Sequence, residues 1–518
     1  MKRWLYLVHR WLGIPLCLVM ALWFFSGMVM LYVGYPKLSD EERLQGLAAL
    51  SADGCCVPLA QALQAAGLAD AAAGASVVAA AAPASAPTGK AGRQSGQRAQ
   101  SWRLAAIAGR PHYLFGDGAA LAVAVDARSG QRVASVDAAQ ALLSARHFAH
   151  GLPARHLGLL SEDAWSHSRA LDGHRPLHVV ALDDEPAGRW LYVSSRTGEV
   201  VRDASFTERS WGWVGAWLHW LYMFRGNAFN PWWSDIVIWL SVAGSVAALS
   251  GLVIGLMRWR WRGHYRSGRK TPYAGRAARW HHWLGLAGGL LCVTWVFSGL
   301  MSMNPWKVFD APGAKPDQLA YAGGRLLPEA APAAAQVLAL LQAQGRTVLA
   351  LEWQRVSGVH QVLAQGPGGP WLVDAAGLHD DGLPEARWRA AAQRLLPRSR
   401  IVQASRLDAY DAYYYAREPH TMGGHRERPL PVWRLRFDDA NNTEVTLDPR
   451  SGAILQISDG HRRVDRWLFA FLHSFDLPQL LASRPAWDAG MLGLSLAGLG
   501  LSLTAVVTGW RRLRRRRR

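Results

Sequence analysis

The chain has 518 residues, half of them apolar, and carries a formal net charge of +19 at pH 7. Nearly all of this positive charge lies in three short segments without acidic residues, 1–10, 258–280 and 510–518. Each segment flanks an apolar stretch, as the positive-inside rule describes, and each is too short to form a folded nucleic-acid reader. The composition therefore argues against nucleic-acid binding and for a membrane protein with room for several domains.

Four apolar stretches are long enough to cross a bilayer, which requires about 20 residues. They are Trp11–Val33, Ile236–Met257, Trp283–Met303 and Ala489–Gly509. None contains a charged side chain, and their basic flanks predict that both termini and the 258–280 loop are cytoplasmic. The first stretch is longer than the apolar region of a signal peptide, so we expect it to be retained as a span in a bacterial inner membrane.

The predicted fold is a core of four transmembrane helices that carries α+β units on the periplasmic side. The predicted order is transmembrane helix 1 (1–33), a periplasmic segment (34–209), an interfacial helix with transmembrane helix 2 (210–257), a cytoplasmic loop (258–280), transmembrane helix 3 (281–303), a second periplasmic segment (304–465), an interfacial helix with transmembrane helix 4 (466–509) and a cytoplasmic tail (510–518). The interfacial helices are Trp211–Phe224 and Trp467–Leu477, each too short to cross the bilayer.

Glycine-containing turns separate β-prone runs in both periplasmic segments, which predicts hairpins. The turns lie at Arg196–Val200, Arg450–Ile454, Asp126–Gly130 and Asp374–Gly377. Residues from about 70 to 100 are rich in Ala, Gly, Ser and Gln, and this composition predicts a flexible insertion.

Two motifs occur once in each half of the chain at the same spacing. His-x-Trp-Leu-Gly begins at His9 and at His281, and Trp-x-Phe-Ser-Gly ends at Gly27 and at Gly299. Because both copies enter the membrane in the same direction, the halves are predicted to be parallel repeats about a pseudo-twofold axis along the membrane normal. A ligand held by equivalent residues of the two halves must then lie near that axis.

A further histidine precedes the second span of each half, His219 in Leu-His-Trp and His473 in Leu-His-Ser. A histidine at membrane depth is costly and marks a functional site, although a single interfacial histidine is more often a simple belt residue. Two ligands of one metal have nitrogen atoms about 4 Å apart. The length of a span separates the inner from the outer histidines by about 30 Å. The pattern therefore predicts the pairs His9 with His281 and His219 with His473.

Two imidazoles make a poor zinc site but complete a haem, which supplies four nitrogen atoms in its plane. The chain has no CxxCH motif for covalent c-type attachment. We therefore expect two b-type haems with four axial ligands, and no residue is assigned to catalysis. Gly13, Gly285 and Gly27 lie on the faces of His9 and His281 and leave room for a macrocycle, while Arg10 and Arg279 are candidates for its propionates.

Several residues have less specific interpretations. His282 is the alternative to His281 as a ligand, and Gly251 and Gly255 are expected to be helix-packing contacts. Cys17 and Cys292 are expected in the core. Cys55 and Cys56 are expected to be surface thiols or a link to a partner chain, because a disulfide between neighbours is strained. Tyr413–Tyr415 could line a ligand pocket but more often belongs to a core, and His420–His425 is more simply a polar loop than a metal site.

The ordered set of motifs resembles the PepSY-associated transmembrane family of bacterial inner-membrane proteins. The matching elements are His-x-Trp-Leu-Gly, Phe-Ser-Gly, the Leu-His before the second span, Tyr413–Tyr415, Arg428-Pro429-Leu430-Pro431 and the Asp448–Gly452 turn, and they cover nearly the whole chain except the Ala-rich insertion. The resemblance implies PepSY-like periplasmic units on a four-helix core. Some members are similar to iron-regulated siderophore reductases with two b-type haems, which implies ligation by His9, His219, His281 and His473.

The function expected from these features is electron transfer across the membrane to a ferric siderophore or another periplasmic acceptor. The chain lacks the flavodoxin-like or nicotinamide-binding module of some relatives, so the electron donor is expected to be a separate cytoplasmic protein or a quinol. The alternative is a periplasmic PepSY binding or regulatory module, anchored in the lipid bilayer and without redox activity.

Overall fold

The computed structural model describes residues 2–68, 102–116 and 121–516, so the predicted flexible insertion lies outside the described residues. Within them, four helices are long and apolar enough to cross a membrane. They are span 1 (Lys2–Met30), span 2 (Trp233–Arg258), span 3 (Arg276–Ser302) and span 4 (Arg484–Arg516). Spans 1, 3 and 4 continue well into the basic flanks of the predicted stretches, because Arg and Lys are good helix formers.

The four spans pack as a ring in which each contacts two neighbours. Span 1 lies between spans 2 and 4, and span 3 lies between the same two helices, so spans 1 and 3 are diagonal partners. Small residues allow the close approach. A Cβ on Gly498 of span 4 would lie 2.3 Å from the Phe24 ring of span 1, and one on Gly244 of span 2 would lie 3.0 Å from Val296 of span 3.

In the described part of the chain, the segments between the spans contain short helices and fifteen strands. The helices are Asp40–Gln45, Leu59–Ala65, Ala138–Phe148, Phe206–Gly212, Gln318–Ala322, Ala334–Ala343, Glu385–Gln393, Gly460–Asp465, Leu472–Ser474 and Pro478–Leu481. The strands are β1 (Trp102–Ile107), β2 (Arg110–Phe115), β3 (Val123–Asp126), β4 (Ala154–Leu160), β5 (Leu177–Leu182), β6 (Trp190–Ser194), β7 (Val200–Ala204), β8 (Ala350–Val356), β9 (Val359–Gln365), β10 (Trp371–Asp374), β11 (Gly377–His379), β12 (Ile401–Leu407), β13 (Val432–Phe437), β14 (Glu444–Leu447) and β15 (Ile454–Ser458).

Each segment contains a four-stranded antiparallel sheet in sequential order, β4-β5-β6-β7 in the first and β12-β13-β14-β15 in the second. The helix Ala138–Phe148 covers the first sheet and Glu385–Gln393 covers the second, and each interface has its own apolar core. The predicted turns are confirmed. Gly198 and Gly452 adopt left-handed φ values of +75° and +74° between the last two strands of each sheet, a conformation that glycine adopts without steric cost.

A seven-stranded sheet joins the two segments, with the order β11-β10-β9-β8-β1-β2-β3. Its central step is the antiparallel pair β1–β8, where Trp102 lies opposite Trp353 and Ala105 opposite Ala350. One apolar core, which includes residues from both segments, covers this sheet. This junction cannot be predicted from the sequence, because pairing between two distant edge strands leaves no local signal. It protects both edges from other pairing partners.

The cysteines follow the predictions in part. Cys17 and Cys292 are buried, as expected. Cys55 and Cys56 form a disulfide with each other, so the expectation of separate thiols or an interchain link was wrong. The loop that carries them is fixed at its end, where the Val57 N–H donates to the carbonyl oxygen of Ala127, and both side chains pack against the core of the seven-stranded sheet.

The β1–β8 junction predicts that the two halves can be covalently linked at their centre. Paired residues of antiparallel strands have Cα atoms about 4.5–5.5 Å apart, within the range of a disulfide. We expect Ala105→Cys combined with Ala350→Cys to form one. With a protease site inserted at Gly268, the cleaved halves should run together on a non-reducing gel and separate after reduction. The single variants are the controls, and separation of the double variant without reductant would contradict the shared sheet.

Candidate functional site

The structure brings the inner histidines together between the diagonal spans. His9 of span 1 and His281 of span 3 have ring centroids 6.3 Å apart. Nδ1 of His9 lies 3.0 Å from the carbonyl oxygen of Ala247 in span 2. Nδ1 of His281 lies 3.3 Å from the carbonyl oxygen of Leu501 in span 4, with Thr504 Oγ1 also at 3.3 Å. Each ring is therefore oriented by the helix next to its own.

The outer histidines form a second pair, and the ring centroids of His219 and His473 are 6.1 Å apart. Nδ1 of His219 lies 3.1 Å from Ser26 Oγ of span 1, and Nδ1 of His473 lies 2.9 Å from Ser298 Oγ of span 3. Both serine hydroxyls donate their hydrogen to a carbonyl oxygen of their own helix. Each serine oxygen is thus available to accept the Nδ1–H of its histidine.

This hydrogen bonding explains why Phe-Ser-Gly occurs in both halves. Ser26 and Ser298 hold the rings, and the next residue of each motif is a glycine beside the same ring. A Cβ on Gly27 would lie 3.6 Å from His219 Cε1, and one on Gly299 would lie 3.9 Å from His473 Cε1. The repeated motif is therefore part of the outer site, and this role of the two serines was not predicted from the sequence.

All four rings share one hydrogen-bonding state. Each Nδ1 faces an oxygen acceptor, and among the described residues no hydrogen bond occupies any of the four Nε2 atoms. The tautomer with hydrogen on Nδ1 leaves the Nε2 lone pair for a metal. Burial also lowers the pKa of His219 to about 3 and that of His473 to about 4, so the outer rings are in the neutral form that binds metal ions.

The two outer histidines stand at the ends of equivalent irregular helices. A π-helical turn precedes each, Trp213–Trp217 in one half and Arg466–Phe471 in the other. Two residues after each histidine, Leu221 and Phe475 adopt left-handed φ values of +53° and +46°. The interfacial segments are therefore broken helices rather than the continuous helices that the sequence predicted. The wider π turn changes the direction of the side chains that follow it, as is common at functional sites.

His282 is not equivalent to His281. Its Nδ1 lies 2.8 Å from Thr271 Oγ1 and its Nε2 lies 2.9 Å from the carbonyl oxygen of Gly255, so both ring nitrogens are occupied within the protein. Gly255 packs against span 3, as expected for a packing glycine. Gly251 is a packing contact with span 1, also as expected, because a Cβ there would lie 2.5 Å from His9 Cε1. Gly251 makes space for the His9 ring.

The remaining candidates divide between core and surface. Tyr414 is fully buried and donates to the carbonyl oxygen of Pro429, as expected for a core residue. Tyr413 and Tyr415 instead line a cleft. Nε2 of His420 lies 2.9 Å from the carbonyl oxygen of Leu31 at the end of span 1, so this loop docks on the helix.

Each histidine pair offers two ligands to a shared metal. Among the residues that the structure describes, no group of three or more His, Cys, Asp or Glu side chains is placed to hold a metal ion. Comparison of the chain with protein-family models and with curated proteins finds no match. The chemistry of the site must therefore be inferred from its own geometry.

The position of Gly251 gives a test of how tightly the inner ring is packed. Gly251→Ala should lower the thermal unfolding midpoint in detergent by several degrees, because displacing the His9 ring is overpacking that costs about 1–3 kcal/mol. The matched control is Gly493→Ala in span 4, where a Cβ meets no atom within 4 Å and alanine favours the helix. An unchanged midpoint for Gly251→Ala would contradict the close contact.

Proposed function

We propose that this chain is a di-haem b-type electron-transfer protein of the inner membrane, built from two parallel repeats, that reduces ferric siderophores on the periplasmic side. The axial ligands are His9 with His281 and His219 with His473. The observation that carries the proposal is that both pairs combine Nδ1–H···O contacts with ring centroids 6.3 and 6.1 Å apart. Two imidazoles on opposite sides of one iron, with metal–nitrogen bonds of about 2 Å, have centroids about 6 Å apart.

The surroundings of the pairs also fit a haem. A Cβ on Gly13, one turn from His9, would meet no atom within 4 Å, so there is open space on this face of span 1. Arg279, two residues before His281, has a buried Nε atom without a hydrogen-bond partner among the described residues. A carboxylate such as a haem propionate satisfies a buried guanidinium donor. The open space on the His9 face supports the assignment at the inner pair, and Arg279 is a candidate partner for a propionate.

The bound haem supplies one-electron chemistry at iron. The chain contributes orientation, because hydrogen bonds to Ala247, Leu501, Ser26 and Ser298 fix the four rings. It also contributes a low-dielectric environment, because the rings lie among the spans. Such hydrogen bonds raise the basicity of a histidine ligand, which stabilises the oxidised iron and so favours electron donation to an acceptor.

The direction of transfer follows from the proposed topology. The basic segments beside His9 and His281 favour a cytoplasmic position for the inner pair, so the outer pair faces the periplasm with the strand-rich segments. Electrons enter from a quinol or a separate donor protein and leave to a ferric siderophore, whose iron is released because such chelators bind ferrous iron poorly. The resemblance to siderophore reductases of the PepSY-associated family supports this acceptor.

Replacement of single histidines tests the ligand assignment. His9→Ala, His219→Ala, His281→Ala and His473→Ala should each reduce the haem content to about half, because one pair remains intact in every variant. The measurement is the pyridine haemochrome absorbance per protein, with reduced difference spectra of each variant. The control is His156→Ala, since His156 Nε2 and His178 Nδ1 lie 3.0 Å apart and occupy each other.

A colourless wild-type preparation from haem-replete cells would contradict the proposal and favour the anchored binding module. Retention of both haems in any of the four histidine variants would show that the corresponding pair does not ligate.

The serines that hold the outer rings make a finer prediction. Ser26→Ala or Ser298→Ala should leave the haem content unchanged but raise the reduction potential of one haem, because the loss of the Nδ1–H acceptor lowers ligand basicity. A spectroelectrochemical titration measures this shift. The control is Ser502→Ala, whose hydroxyl donates only to the Gly498 carbonyl oxygen of its own helix. Equal potentials in wild type and both variants would refute a role of the serines in tuning the outer site.

A further inference from the structure

A basic cleft of about 250 Å³ opens on the second segment. It lies between strand β15, the 408–431 loop and the start of the π-helical turn that leads to His473. Among the described residues, its lining includes five arginines and two tyrosines: Arg417, Arg426, Arg428, Arg462, Arg466, Tyr413 and Tyr415. The acidic residue of this lining is Asp465, so positive charge predominates at the surface of the cleft.

The cleft adjoins the outer histidine pair. Ala470 is part of its lining, belongs to the π-helical turn Arg466–Phe471 and precedes His473 by three residues. Residues three apart on a helix lie about 5–6 Å from each other. A molecule in the cleft is therefore within about one helical turn of an outer ligand.

Three of these arginines are held in place by contacts within the protein, and these contacts neutralise only part of their positive charge. Arg466 and Arg417 pair with Asp476, which is fully buried and also accepts a hydrogen bond from Tyr415. Arg428 donates to the carbonyl oxygen of Leu455 and lies over the Tyr414 ring, which leaves its charge unneutralised. These contacts pre-organise the cleft, so less conformational entropy is lost when a ligand binds.

The positive charges around the cleft also act on Lys37. It donates to the carbonyl oxygen of Thr421 in the loop that borders the cleft. Burial is the main cause that lowers the pKa of Lys37 to about 8, and the positive charges of Arg202, Arg417 and Arg426 lower it further. A region that disfavours an additional cation favours a bound anion.

The first segment differs at the position equivalent to Arg466. Gly212 precedes His219 by seven residues, as Arg466 precedes His473. A Cβ on Gly212 would lie 2.8 Å from the Trp165 ring, so an aromatic side chain covers this position. Trp165 in turn packs with Tyr35, Tyr222 and Trp233 in an apolar cluster. The first half therefore lacks the arginine that corresponds to Arg466, and Trp165 fills that space.

We propose that this cleft binds a small oxygen-rich polyanion, a ferric polycarboxylate chelate of the citrate type, as the electron acceptor. Arginines bind carboxylates through paired N–H···O contacts, and Tyr413 adds a hydroxyl group. This inference rests on the proposed function for the reductive step. One electron converts one ferric ion to ferrous ion, no bond of the ligand breaks, and the electron comes from the one-electron carrier proposed at the outer pair.

Binding is tested without redox chemistry by gallium(III) citrate, which does not accept an electron under these conditions. The full chain, reconstituted with its cofactor in zwitterionic nanodiscs, is titrated calorimetrically. We expect Arg462→Glu to weaken binding at least about tenfold at low ionic strength, with a smaller loss at high salt. The control is Arg463→Gln on the same helix, whose guanidinium lies 3.7 Å from Glu444 and donates to the carbonyl oxygen of Asn442. It should change the affinity less than about twofold.

Arg462 is chosen because its substitution leaves the buried Asp476 pairs intact, and unchanged haem content and spectra of each variant verify folding. Equal affinity of wild type and Arg462→Glu, or no binding of gallium citrate to wild type, would overturn the inference. Loss of gallium citrate binding only in nanodiscs that contain phosphatidylglycerol would show that a lipid phosphate occupies the cleft. This result would also overturn the inference.

A second arm separates this inference from the proposed function. Dithionite-reduced protein is mixed with ferric citrate or with a cationic ferric trihydroxamate, and haem reoxidation is followed. If Arg462→Glu slows reoxidation by ferric citrate but not by the ferric trihydroxamate, the result supports both proposals. Reoxidation by both chelates without any dependence on Arg462 overturns the cleft assignment and leaves the electron-transfer function standing. Arginine-dependent binding of gallium citrate without reoxidation by either chelate supports the cleft and contradicts the function.

Discussion

The hydrogen bond from Nδ1 of each paired histidine to an oxygen on another helix is the contact on which the site depends. In the inner pair the acceptors are carbonyl oxygens of Ala247 and Leu501, and in the outer pair they are hydroxyls of Ser26 and Ser298. Such a contact fixes both the tautomer and the direction of the ring. It also requires a neighbouring helix at the right depth, so the packing of the four spans and the geometry of the pairs determine each other.

The extramembrane segments constrain the same geometry from outside. The β1–β8 pair joins them in one sheet, and each segment ends in a π-helical turn that delivers His219 or His473. A histidine on a short broken helix has no long element to hold it, so its position depends on the sheets behind it and on the serine in front of it. The seven-stranded sheet restricts how far the two turns can separate, which favours a constant distance between the outer rings.

The sequence predicted what depends on local or repeated patterns. Apolar length and basic flanks located the spans, glycine turns located the hairpins, and the repeated motifs indicated which histidines would meet. The junction of β1 with β8 depends on contacts between residues about 250 positions apart, for which a single chain gives no local signal. The role of Ser26 and Ser298 was missed although the repetition of Phe-Ser-Gly pointed to it, because serine is also a common helix-packing residue.

The separation of the two pairs explains why the proposed conduit needs both. His9 and Ser26, which contacts His219, are separated by about 26 Å along span 1 at 1.5 Å per residue, close to the thickness of the hydrocarbon core. With only one pair, an electron would have to cross most of that distance in a single step. Between them, the rings of Phe24 and Trp295 meet across the diagonal spans with centroids 5.7 Å apart. In the proposed conduit each pair would hold one haem, and the exchange of Gly212 for Arg466 makes the two halves different beside the outer pair.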